Sequence, residues 1–143
     1  MSAQLLKQFI SKLQQDVQRL DQLSQLLEQQ YELMSQRSSG PLEELNQQAL
    51  QLMSALQHNQ VSRDQLLQQF GLEHSSDGMH HLVSRLPIPV QLGTRLLLQE
   101  LTLKARLCHA QNEKNGILLA SQRQLLAKLT GMQNRTSYPA MPL

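Results

Sequence analysis

The chain has 143 residues, about the size of one domain, with a net charge of +2 and only 3% aromatic residues. Leucine and glutamine dominate, with 31 Leu and 24 Gln, and this scarcity of β-branched and aromatic residues points to helix almost throughout. Scattered basic residues without interleaved aromatics argue against a nucleic-acid partner, the single Cys excludes an internal disulfide, and no apolar run reaches the roughly 18 residues of a membrane span.

In the first segment, Leu6, Ile10, Leu13, Val17, Leu20, Ser24, Leu27, Tyr31 and Met34 alternate spacings of four and three. This is a coiled-coil seam, and it predicts a helix over residues 3–36 about 50 Å long. Asp16, Asp21 and Glu28, interspersed with Lys12 and Arg19, are expected on its solvated face. Ser38-Ser39-Gly40-Pro41 ends the helix, and Pro41 suits the first position of a second one carrying Leu42, Leu45, Ala49, Leu52 and Leu56. A short loop makes the two antiparallel neighbours. Ser62-Arg63-Asp64-Gln65 reads as a capping box and Gly71 as a stop, which predicts a separate short helix over 62–70. Leu72 to Gly78 read as loop, and Met79 to Leu86 as one or two turns. Leu86-Pro87-Ile88-Pro89 is a break, because a residue before proline is pushed out of helical geometry.

A long helix then runs from about 89 to 130, and Met132 to Leu143, with two prolines and no period, reads as a flexible tail. One stripe of the long helix carries Val90, Leu97, Leu101, Cys108, Asn112, Asn115, Leu119 and Leu126, so two asparagines lie on an apolar face. The run Asn112-Glu113-Lys114-Asn115-Gly116 interrupts the leucines, at a propensity cost of roughly 2 kcal/mol against alanine. Three roles fit: polar seam residues that fix register, a flexible point at Gly116, or a junction between scaffold and binding helix. In the junction reading, the leucines from Leu92 to Leu107 bury against the scaffold. Leu118, Leu119, Leu125, Leu126 and Leu129 then form an amphipathic stripe offered to a partner. Five such leucines offer roughly 10 kcal/mol of gross burial.

The Asn112-Glu-Lys-Asn115-Gly116 motif with Ile117 and Leu118 after it, Leu86-Pro87 ahead of the long helix, the heptad-rich first helix and Tyr138 in the tail resemble the FlgN family of flagellar export chaperones. The chain differs from the usual pattern in its many glutamines and its Thr136-Ser137-Tyr138-Pro139 ending. The resemblance implies a small helical protein without enzymatic activity. Such a protein binds the hook-filament junction proteins FlgK and FlgL before secretion and delivers them to the flagellar type III export gate. It also implies that Tyr138 touches that gate.

Catalytic chemistry has little support. His80 and His81 are adjacent and would point about 100° apart on a helix, no Cys or carboxylate has ligand spacing to them or to His74, and no phosphate loop is present. Cys108 on the apolar stripe reads as a buried packing residue. The expectation is therefore an all-α, elongated antiparallel bundle or coiled coil without metal or cofactor. It has one domain over 1–131, whose cargo-binding end is 117–131, and a flexible tail over 132–143. It is expected in the cytoplasm, since no signal peptide is visible at the start, with weak self-association through the C-terminal helix. The alternative is a structural coiled-coil adaptor or a subunit of a larger complex.

Overall fold

The computed structural model describes residues 2–37 and 40–130, with side chains up to residue 116. It contains four helices in these residues: α1 (Ala3–Ser35), α2 (Gly40–Gln69), α3 (Ser76–Ser84) and α4 (Ile88–Thr130). Ser2 starts α1, its side chain accepting from Leu5 N at 3.1 Å. Arg37, at a left-handed φ of 58°, turns the chain out of it. The helix predicted over 3–36 is therefore present.

The second helix is longer than the sequence suggests. Residues 40–56 and 62–70 are not two helices; α2 passes through the Ser62 capping pattern without a break. No Gly or Pro lies between Leu56 and Ser62 to interrupt it. Continuity also places Asn59 and Arg63, one turn apart, against the same carboxylate of α1. The end of α2 is as read. Gly71 takes φ +69°, its N–H donates to Gln68 O at 3.0 Å, and Leu72 N–H donates to Leu67 O at 2.9 Å. This pair of bonds is the Schellman stop.

The expected loop over 72–78 ends earlier, because Ser75 caps α3 by accepting from Gly78 N at 3.2 Å. Gly78 is required there, since a Cβ on it would lie 1.9 Å from Glu73 O. Gln91 Nε2 then donates to Leu86 O at 2.8 Å and fixes the corner between α3 and α4.

α1 is the central helix. α2 runs antiparallel to it, as Gln30 pairing with Asn46 and Asp16 pairing with Arg63 require. α4 runs parallel to it: Lys104 meets Asp21, Cys108 meets the Leu20 carbonyl, and Asn115 meets Leu27 and Gln30. Among the described residues the backbones of α2 and α4 do not come close to one another, and α3 packs on both.

The buried seam of α1 differs from the expected one in alternate members. Phe9, Leu13, Asp16, Val17, Leu20, Leu23, Leu27, Gln30 and Met34 are buried, Val17 as expected, whereas Leu6, Ile10, Ser24 and Tyr31 are half-buried. Flanking helices on two sides widen the covered face beyond one stripe. Two apolar clusters result. Phe9 and Leu13 pack with Leu66, Leu67, Leu82, Val83 and Leu86. Leu20, Leu23 and Leu27 pack with Ala49, Met53 and Cys108.

Candidate functional site

Between the two clusters lies a polar layer. Asp16 is fully buried, contrary to the expected solvated position. Arg63 Nη1 donates to it at 2.6 Å, Asn59 Nδ2 at 2.9 Å and Arg19 Nη1 at 3.1 Å. A carboxylate in an apolar interior requires such partners, because an uncompensated buried charge is strongly destabilising. The clue available from sequence was the alternative heptad Phe9–Leu13–Asp16–Leu20, together with Asn59 and Arg63 spaced i, i+4.

A second polar layer holds the asparagine motif. Asn112 and Asn115 are buried. Asn115 Nδ2 donates to Leu27 O and to Gln30 Oε1, both at 2.8 Å, and Gln111 Nε2 donates to Asn115 Oδ1 at 2.9 Å. Gln30 Nε2 in turn donates to Asn46 Oδ1 of α2. The motif thus joins all three long helices at one level, as expected of register-fixing polar residues. Beside it, Lys114 Nζ sits 4.2 Å above the ring of Tyr31. Gly116 lies in continuous helix, half-buried, and a Cβ there would meet nothing within 4 Å.

Cys108 is buried with Sγ 3.4 Å from Leu20 O. Burial pushes its thiol up to about 11, so it is not a nucleophile at neutral pH. Among the described residues no group of His, Cys, Asp and Glu is arranged to hold a metal ion. The side chains of Leu118, Leu119, Leu125, Leu126 and Leu129 fall outside the described residues, although their backbone belongs to α4. Tyr138 lies outside the described residues entirely.

The α1–α4 register places the end of α4. The paired residues are 83 to 88 apart in sequence, so Ala3 and Ile88, where the two helices begin, are level. α4 has 43 residues and α1 has 33, so α4 runs ten residues past the end of α1, about 15 Å. Positions 118 and 119 are level with the last turn of α1, and 125, 126 and 129 lie beyond it.

The leucines between 92 and 107 are not all covered by the scaffold, as the junction reading expected. Leu97, Leu98 and Leu101 pack inward, but Leu92, Leu96, Leu103 and Leu107 are 55–70% exposed. Among the described residues the helices whose backbones approach α4 are α1 and α3, and these four leucines lie on its far side. A groove of about 1260 Å³ opens between α2 and α4, with Leu20 of α1 in its floor and His74 to His80 at the end near Leu67.

The family described as FlgN protein matches residues 1–138, nearly the whole chain. The chain belongs to the FlgN family. A solved structure from Pseudomonas aeruginosa, described as a flagella synthesis protein FlgN, shares this fold with a TM-score of 0.73 at 23% identity. That match covers 90% of this chain and 98% of the other. No curated protein matches this chain. The FlgN family is of chaperone type and non-enzymatic, and no described helix is long and apolar enough to cross a membrane.

Proposed function

We propose that this FlgN-family chain is a cytoplasmic secretion chaperone of flagellum assembly. It binds hook-filament junction proteins of the FlgK and FlgL type, keeps them unassembled and delivers them to the type III export gate. Residues 1–131 act as one chaperone domain and 132–143 as a tail that touches the gate through Tyr138. Family membership supports the flagellar role.

The observation that carries the cargo site is the length difference between α4 and α1. Ten residues of helix run past the end of α1, and their sequence places Leu125, Leu126 and Leu129 on one apolar stripe. A helix of this kind pairs with the amphipathic helices of a partner. Binding there masks the cargo's own assembly surface and stays reversible, because ordering and association costs offset much of the gross burial.

The test is calorimetry of purified full-length protein against the terminal helices of FlgK or FlgL. Leu119→Asp with Leu126→Asp should abolish binding while circular dichroism shows the helices intact. Unchanged affinity in a folded double variant would remove the proposed site.

A further inference from the structure

We infer that the groove between α2 and α4 is a second docking site, and that its occupant is an acidic amphipathic helix of another protein. The groove exceeds the roughly 300–1,000 Å³ of a small-molecule pocket. α2 lines it from Leu50 to Leu67, about 26 Å of helix, which is the span of four to five turns. Because the backbones of α2 and α4 flank α1 without approaching one another, the three long helices leave one position of a four-helix bundle open.

Both lips of this opening are apolar and exposed. Leu50 stands on the α2 side at 51% exposure and Leu103 on the α4 side at 59%. Leu103 belongs to a stripe with Leu92, Leu96 and Leu107 that falls within an arc of about 60° along four turns of α4, and of these four Leu103 lines the groove. Aliphatic residues at this spacing match the apolar seam of one further helix.

Charge selects the occupant. Arg106 lines the groove, Arg95 lies three turns before it on the same face of α4, and neither has an ion pair among the described residues. Arg63 lines the groove but shares the single carboxylate of Asp16 with Arg19, so that buried cluster keeps one positive charge over. Among the described residues Asp64 is the one carboxylate lining the groove. His74 and His80 line the far end beside the N-terminus of α3, where Ser75 and Ser76 present the positive end of that helix. His109 meets Glu113 of its own helix at 3.0 Å.

The same reasoning excludes the chain's own C-terminal part. Three of the thirteen Lys and Arg, and none of the eleven Asp and Glu, follow Gly116, so residues 117–143 carry +3 and the rest of the chain −1. That segment, from this copy or a second one, would meet like charge along the groove. A partner helix with leucines on one face and carboxylates about three turns apart on the adjoining edge meets Arg95 and Arg106 instead.

The probe is a synthetic 21-residue helical peptide with leucines at heptad spacing and flanking glutamates, titrated into full-length protein by calorimetry. A matched peptide with lysines replacing the glutamates is the control. The glutamate peptide should bind at least tenfold more tightly than the control. Leu50→Gln with Leu103→Gln should weaken it at least tenfold, and Arg106→Glu should reduce or reverse the preference. Leu119→Asp with Leu126→Asp should leave it unchanged, which separates this site from the end of α4. Equal binding of the two peptides would overturn the inference, as would glutamate-peptide binding that is lost only in the Leu119/Leu126 variant. A dimer in sedimentation that the Leu50/Leu103 variant abolishes would instead make a second copy the occupant. Should the double leucine variant lose helicity, the exposed Arg106→Glu change decides alone.

Discussion

Asp16 is the residue on which the α1–α2 pairing is most exposed to damage. Asp16→Ala leaves Arg63 and Asn59 facing an apolar interior, and stability should fall by about 3–5 kcal/mol in denaturant unfolding. Replacing Asp16, Asn59 and Arg63 together by leucine should restore most of that loss, since a buried pair is often no better than packed hydrocarbon. A triple variant as unstable as the single one would show that the layer does more than neutralise charge. Two glycines should respond in opposite directions. Gly78→Ala forces a Cβ against the Glu73 carbonyl and should lower the melting temperature sharply, whereas Gly116→Ala enters open space in a helix and should stabilise α4 by up to about 1 kcal/mol. Cys108 gives a pH signature. Its folded thiol is raised by burial to about 11, above the ordinary value of 9.0, so unfolding releases a proton more readily in that window. Its contribution to stability is intact below pH 9 and is lost as pH rises to 11. The stability difference between wild type and Cys108→Ala should therefore shrink across that range, and a constant difference would contradict the assignment.

At the scale of elements, α1, the Gly71 stop, the proline break and the onset of α4 were legible because each rests on local chemistry: a cap, a left-handed glycine or a missing amide. The continuity of α2 was not. A capping pattern at Ser62 is a local signal, and it yields to the tertiary demand that Asn59 and Arg63 meet Asp16 on one face. The seam of α1 was half legible for a related reason. Leu13, Leu20, Leu27 and Met34 belong to both possible heptads, and the alternate members depend on where two neighbouring helices sit. Asn115 ties α4 to that seam. Asn115→Ala leaves Gln30 and the Leu27 carbonyl without this donor and should cost about 1–3 kcal/mol. Hydrogen exchange should show the loss in the α4 amides around 104–115 before those of α2.

For the whole molecule, the candidate site was legible only in part. The asparagine motif stands out as polar residues on an apolar stripe, and its buried, hydrogen-bonded position follows from that pattern. The groove does not, because Leu50 and Leu103 on its lips look identical in sequence to the leucines that pack inward. Only the gap between the α2 and α4 backbones leaves them bare. The parallel run of α1 and α4 also sets a timetable. The α1–α2 hairpin closes through neighbours in the chain, but the contacts of Leu20, Leu27 and Gln30 with α4 wait for residues 85 to 88 positions later. At ribosomal speeds of about 5–20 residues per second, that side of α1 stays uncovered for roughly 4–17 s. A nascent chain should first gain a protease-resistant hairpin and become fully resistant only after Asn115 has emerged, so for those seconds the first helix is a finished surface waiting for its other half.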